Sequence, residues 1–363
     1  MPSRRGRRRG GPSHNSPKRA RIIREPISLD DNLMHYIFNS WTTQHPSDTH
    51  LDFFKLSSFM SKVPYVSKKF CAISRSILAT SSSPPTARLT SSSSKYAYVT
   101  LLMANEAYLP GVLTLGYTLR SSPHDKICMC TPDISDRAKY FIAKFFKIVV
   151  IDYIKDSRIG PTKWKKFQHH YNPWLKFCFT KFRLFELTQY EKVLFLDADT
   201  ISLNTTELDT LFNLPAPAGT LTSDTFISHA RMIRTKDLEV SLRKFYGIAG
   251  AVLLLRPSLS SLFELGQVAS NYFGNYNDNA GADEAVLSRY FKSKWTNISK
   301  RFNSVPWKGY ENQVLWHYVT AAPWNFEQYW DDYEVFYDFN REMIQQDAEL
   351  NEVLEPVLKH SKK

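Results

Sequence analysis

A chain of 363 residues, 43% of them hydrophobic and 14% aromatic, can bury the core of one large domain or two small ones. Its formal charge of +12 suggests nucleic acid until it is located. Nine basic residues (Arg4, Arg5, Arg7, Arg8, Arg9, Lys18, Arg19, Arg21, Arg24) and one acid, Glu25, give the first 25 positions a net +8, which leaves +4 for the remaining 338.

The excess charge therefore belongs to a tail, and the body is only mildly basic. Four cysteines (Cys71, Cys128, Cys130, Cys178) show no framework spacing, which points to a reduced, intracellular protein. No apolar run of about 18 residues and no apolar segment behind the Arg/Gly-rich start can be read, so neither a membrane partner nor a secretory signal is expected. The expected compartment is the cytoplasm, with nuclear import through the basic arm as an addition.

Residues 1–25 have the composition of a disordered arm, suited to nuclear import or to polyanions such as nucleic acid. Residues 26–79 carry short apolar-periodic pieces (Leu33, Ile37, Phe38, Trp41; Phe53, Phe54, Leu56, Phe59) and read as a small helical extension. Residues 80–94, rich in Ser, Pro and Thr, read as a linker.

From Lys95 the pattern alternates. Tyr96–Met103 predicts a buried strand, and Tyr108–Leu119 a helix with Pro110 in its first turn. Lys126–Cys130 predicts a strand, 136–147 a helix capped by Ser135, and Ile148–Ile151 a strand. Trp174–Gln189 reads as a strongly apolar helix. The strand that follows ends in Asp197-Ala198-Asp199. Asn204 or Thr205 caps a short helix ending near Phe212. Ala249–Arg256 is a buried strand closed by Pro257, and helices are expected over 258–273 and 282–293. This alternation predicts an α/β fold with a mostly parallel central sheet and helices on both faces. The domain so defined runs over 95–340, with a C-terminal helix or tail at 341–363.

Four stretches carry chemistry. A strand that runs apolar into Asp197-Ala198-Asp199 sets two hard oxygen ligands at the carboxyl end of a sheet, where open α/β sheets bind ligands; a divalent cation carrying a phosphate suits the pair. At the end of the first strand, Asn105 and Tyr108 could bond to and stack on a base. Lys181 is a cation on an apolar segment that must reach something polar. His317 precedes Ala322-Pro323-Trp324. Each has a blander reading: rim aromatic, snorkelling lysine, capped turn, core histidine.

Together they carry a resemblance. The segments Asn105-Glu106-Ala107-Tyr108-Leu109-Pro110-Gly111, Phe179-Thr180-Lys181-Phe182, Leu187 through Thr200, Ala282-Asp283-Glu284-Ala285-Val286-Leu287, and His317-Tyr318 ahead of Pro323-Trp324 resemble glycosyltransferase family eight, in its glycogenin and galactinol synthase branch. A weaker similarity is to members found in insect DNA viruses. The resemblance implies a Rossmann-like nucleotide-diphospho-sugar transferase fold over 95–340, a UDP-sugar donor and Mn²⁺, with Mg²⁺ as the alternative. By matching position, Asp197, Asp199 and His317 would hold the metal. Leu102, Ala104, Asn105 and Tyr108 would hold uridine. Lys181 and Asp283 would meet the diphosphate and donor sugar and carry the catalysis, joined at the donor by Ala198, Gly250 and Glu284. A retaining, substrate-assisted hexosyl transfer to a sugar, polyol or protein acceptor follows, and a homodimer is allowed.

Three departures stand out. Glu284 replaces the family's usual glutamine. Gly247-Ile248-Ala249-Gly250 lacks the asparagine of the matching family run. Thr320, Ala321 and Ala322 occupy the stretch where the family has Gly and then Lys, and Lys308 is the candidate substitute. These departures motivate the alternative of a catalytically weak UDP- and Mn²⁺-binding homologue with a regulatory role.

Overall fold

The computed structural model describes residues 94–155, 177–222, 226–243, 247–271, 282–308, 311–319, 322–325 and 331–359, with 51–52 and 361. The expected basic arm, N-terminal extension and linker lie outside these residues, apart from 51–52 and Ser94. The backbone of Leu51–Asp52 pairs in parallel with Ile154–Lys155.

Seven strands form the central sheet. In chain order they are β1 (Tyr96–Leu102), β2 (Asp125–Cys130), β3 (Lys147–Val150), β4 (Lys192–Leu196), β6 (Ala218–Leu221), β7 (Ile248–Leu255) and β8 (Thr296–Asn297). Their spatial order is β8-β6-β7-β4-β1-β2-β3. Strand β7 alone runs antiparallel to its neighbours, so the sheet is mostly parallel, as expected. A second, two-stranded sheet pairs β5 (Thr200–Ser202) with β9 (Leu315–His317).

The strands are apolar on both faces because both faces are covered. Ala97 and Val99 of β1, Val193 and Phe195 of β4, and Leu253 of β7 enter one core with Phe179, Phe182 and Phe185. Their alternates Tyr98, Leu194, Leu196, Val252 and Leu254 enter the other. That second face is covered by α1 (Leu109–Thr118), α2 (Asp136–Ile142) and α3 (Thr205–Asp209). Helices α5 (Leu259–Asn271) and α6 (Ala282–Tyr290) cover the first. Between β6 and β7 lies α4 (Thr235–Arg243), and α7 (Glu334–Gln346) and α8 (Asn351–Leu358) close the chain. Helix α7 crosses the 340/341 boundary and docks on α1, where Thr114 Oγ1 donates to Asn340 Oδ1 at 2.9 Å in a buried contact.

The caps follow the sequence. Ser135 Oγ accepts from Ala138 N at 3.1 Å, and Asn204, rather than Thr205, caps α3 by accepting from Glu207 N at 3.0 Å. The helix expected over 136–147 stops at Ile142, because β3 begins at Lys147. The expected helix over Trp174–Gln189 is corrected to a 3₁₀ helix over Cys178–Glu186. The three-residue spacing of the buried Phe179, Phe182 and Phe185 suits a helix of three residues per turn, which stacks them in one row. Strands β6 and β8 and helix α4 had no expectation attached to them.

The bend that matters most follows β4. Asp197 N continues the ladder by donating to Ala251 O at 3.0 Å, and then Asp197 O accepts from both Thr200 N (3.1 Å) and Thr200 Oγ1 (2.7 Å). This tight turn throws the chain out of the large sheet and into the small one. Gly111 packs against it: a Cβ there would stand 2.2 Å from Ala198 O and 2.4 Å from the Trp324 ring.

Gly111→Ala sets two effects against each other. Alanine gains about 1 kcal/mol of helix propensity over glycine, but overpacking against an immovable carbonyl costs about 1–3 kcal/mol or more. The clash is with backbone, so the expected result is a lower melting temperature; an unchanged or raised one would contradict this packing.

Candidate active site

Three elements converge at the carboxyl end of β4. The turn supplies Asp197 and Asp199. The pairing of β9 with β5 sets His317 opposite Thr200, and Tyr318 N donates to Asp199 O at 2.9 Å. The ligand atoms of Asp197, Asp199 and His317 consequently lie within 4.8 Å of one another, and this Asp-Asp-His group is the one such cluster among the described residues.

His317 is oriented by a residue the sequence did not single out. Asn303 Oδ1 lies 3.0 Å from His317 Nδ1, so this nitrogen donates and Nε2 points at Asp199 Oδ1, 3.3 Å away. Asn303 itself is placed by the neighbouring strand contacts, in which Ser304 N donates to Leu315 O and His317 N to Ser304 O. Burial alone would lower the His317 pKa, but the Asp199 carboxylate outweighs it and the net direction is upward. The Asp199 carboxylate facing Nε2 marks where a cation would sit. Two carboxylates and one imidazole with its far nitrogen hydrogen-bonded form a donor set that fits a divalent ion such as Mn²⁺.

Lys181 stands beside this cluster. Its ammonium lies 3.2 Å from Asp197 Oδ1 and 3.5 Å from Asp283 Oδ2, donates to Gly250 O at 3.1 Å, and sits 4.7 Å from the centre of the Phe195 ring. Burial opposes its charge, yet Asp197, Asp283 and Glu284 together hold its pKa above the ordinary lysine value. Asp283 is 3% exposed. Glu284 accepts from Gly250 N at 2.6 Å. Burial, then the adjacent Asp283, raises the Glu284 carboxyl to about 7. Both backbone groups of Gly250 are thus occupied, and a Cβ there would press on Glu284 and Lys181 at 3.0–3.1 Å. Four carboxyls face one lysine and one histidine, a field that favours a divalent cation.

The other candidates gather at the neighbouring strand end. Leu102 is buried in the core and its carbonyl accepts from Thr131 N at 3.2 Å. Ala104 has φ 68°. Asn105 Oδ1 accepts from Ala107 N at 2.9 Å. Tyr108 is 40% exposed and meets Trp324 edge-on at 5.6 Å. Because β1 adjoins β4, and β7 adjoins β4 on its other side, the order across the sheet is Ala104–Tyr108, then Asp197–Asp199, then Gly250. Of the stretch without the family lysine, Ala322 is described, and it is buried. The backbone of Pro306–Lys308 forms a 3₁₀ turn, while the Lys308 side chain lies outside the described residues.

The family model of glycosyl transferase family 8 matches residues 99–327. The chain belongs to this family. Uncharacterized protein R707 of Acanthamoeba polyphaga mimivirus is 30% identical over 58% of the chain and 72% of its own length. A UDP-glucuronate:xylan alpha-glucuronosyltransferase of Arabidopsis thaliana is 26% identical over 68% of the chain, and the glycogenin of Neurospora crassa 28% identical over 62%. The match spans only 38% and 31% of those two relatives. Among solved structures, the galactosyltransferase LgtC with donor and acceptor sugar analogues aligns over 67% of the chain and 94% of its own, at 16% identity and a TM-score of 0.46. As a family 8 glycosyltransferase, the chain keeps the Asp-Ala-Asp strand end and its distant histidine together.

Two outcomes follow from the charge arrangement. Lys181→Met strands the Asp197 and Asp283 carboxylates, and removing one partner of a buried pair costs about 3–5 kcal/mol; urea unfolding should show a loss of this size, and an unchanged midpoint would refute the pairing. Glu284, whose folded pKa of about 7 exceeds its ordinary 4.5, favours the fold in its neutral form. Its contribution is complete below the unfolded value and is lost as pH rises through the folded one. Glu284→Gln should therefore gain stability relative to wild type on going from about pH 5 to about pH 8; parallel pH curves would contradict this.

Proposed function

We propose that the chain transfers a hexosyl group from a UDP-sugar to a separate acceptor, with retention at the anomeric carbon and with Mn²⁺ held by Asp197, Asp199 and His317. The observation that carries the reading is the convergence of those three side chains beside Lys181. Strand order supports a direction for the donor: base over Ala104, Asn105 and Tyr108 at the end of β1, diphosphate over Asp197–Asp199, sugar toward Gly250, Asp283 and Glu284.

When bound, the metal supplies positive charge against the charge that grows on UDP as it leaves. Lys181, within reach of both Asp197 and Asp283, adds a second positive charge between diphosphate and sugar. Asp283 and Glu284 present acceptors to sugar hydroxyls. The bond from the anomeric carbon to the β-phosphate oxygen breaks, and the acceptor hydroxyl attaches on the same face. Its proton passes to the departing phosphate oxygen, so no protein base is required. A protein acceptor within this chain is not part of the reading, since none of its tyrosines occupies a segment matching glycogenin's.

Where the family has a phosphate-facing lysine, this chain has Thr320, Ala321 and Ala322. Lys181 and the metal carry the whole neutralisation in this reading. No helix among the described residues is long and apolar enough to cross a membrane. The buried free thiols of Cys128, Cys130 and Cys178 support a reducing, cytoplasmic setting.

UDP release from a panel of UDP-sugars, with Mn²⁺ and with a chelator, tests the proposal. Asp199→Ala should lower turnover by about 10²–10³, the scale on which electrostatic stabilisers act. UDP and Mn²⁺ binding without turnover of any donor or acceptor would instead support the weakly catalytic alternative.

A further inference from the structure

The left-handed backbone of Ala104 is held in place from another strand end. Alanine at φ 68° is in a region that glycine enters freely and alanine does not. Ala104 N donates to Tyr153 Oη at 2.8 Å. Tyr153 Oη in turn donates to Asp133 Oδ1 at 2.7 Å and accepts from Thr131 Oγ1 at 3.2 Å. One phenol oxygen thus uses its single proton and two lone pairs, and ties the segment after β3, which carries Tyr153, to the ends of β1 and β2. The arrangement is firm. Thr131 is fully buried, Tyr153 is 8% exposed, and the Tyr153 ring packs on Phe177 with centroids 4.2 Å apart. Backbone bonds stitch the same strand ends, Thr131 N to Leu102 O and Ile151 N to Cys130 O. Burial works against the Asp133 charge, but hydrogen bonding within this cluster, the Tyr153 bond included, lowers its pKa below the ordinary value.

This matters because of what Ala104 leads into. The next residues are Asn105, whose side chain is folded back onto Ala107 N, and Tyr108, which is exposed at the rim of the site. The direction of the chain at Ala104 sets where both point. Its N–H is already committed to Tyr153, so a bound base can use only the Ala104 carbonyl and the groups that follow it.

We propose that Tyr153, oriented by Asp133 and Thr131, is a positioning residue for nucleotide recognition: it locks the Ala104 turn in its left-handed form before the donor arrives, so that Asn105 and Tyr108 present a preformed base site. The role rests on the UDP-sugar reading. Preorganisation of this kind lowers the cost of binding without touching the reacting bonds. Loss of the lock should therefore raise KM for the nucleotide sugar and leave kcat near its wild-type value.

Tyr153→Phe in the full chain removes one oxygen and keeps the ring. Calorimetry with UDP and Mn²⁺ should show about tenfold weaker UDP binding, and KM should rise by a similar factor at constant kcat. Adding Ala104→Gly should bring affinity back to within about threefold of wild type, because glycine holds φ 68° without help; a purely structural loss would not be rescued at that position. Melting curves of both variants confirm that folded chains are compared. Wild-type chain that fails to bind UDP overturns the donor assignment and the positioning role with it. Wild-type binding that Tyr153→Phe leaves unchanged, or a loss seen in kcat and not restored by Ala104→Gly, overturns the positioning role alone.

Discussion

The Asp197 carbonyl accepts two hydrogen bonds from one residue, Thr200, and the geometry of the site depends on that small knot. It ends the ladder of β4 after a last bond to Ala251 and redirects the chain into β5. Only because β5 exists as a separate strand can β9 pair with it, and only through that pairing does His317, far along the chain, arrive beside Asp199. Helix α1 enforces the turn from the other side, with Gly111 allowing contact against Ala198 O that no larger residue could share. Packing, backbone hydrogen bonding and ligand geometry are one arrangement here.

Charge explains why the arrangement is stable before any ion or nucleotide is added. Carboxylates crowded at a strand end would repel, and Lys181 lies between Asp197 and Asp283 while Asn303 and Asp199 hold His317. Burial should penalise a lysine, and the surrounding acids overcome it. The same cation is a structural counter-ion and, in the proposed function, a positive charge for the diphosphate. This double use bears on the stretch without the family lysine, of which Ala322 is packed away in the aromatic cluster of Tyr318, Tyr333 and Phe336.

Much of this was legible in the chain. Strands buried on both faces write themselves as continuous apolar runs, so β1, β2, β4 and β7 could be read directly. Ser135 announced its cap, Asn204 and Thr205 were both open as the cap of α3, and Asp197-Ala198-Asp199 set two carboxylates at the end of such a run. What failed to show has physical causes. The 3₁₀ helix reads as an ordinary one because its apolar content masks the three-residue spacing of its phenylalanines. Strand direction leaves no trace in composition, so the antiparallel β7 was invisible. Strands β6 and β8 are too short, at four and two residues, to impose a pattern. Asn303, Tyr153 and Asp133 make their contacts through a few side-chain hydrogen bonds across strand ends, and a lone polar residue in a loop carries no periodic signal.

The central claim is that one histidine, distant in sequence, completes a divalent-cation site begun by the Asp-Ala-Asp turn. The most direct measurement is pulsed electron paramagnetic resonance on the full chain loaded with Mn²⁺. Coupling of the ion to a single imidazole nitrogen, lost in His317→Ala while the folded state persists, is the predicted result. Mn²⁺ bound with no nitrogen coupling, or with coupling that survives the substitution, would contradict the account.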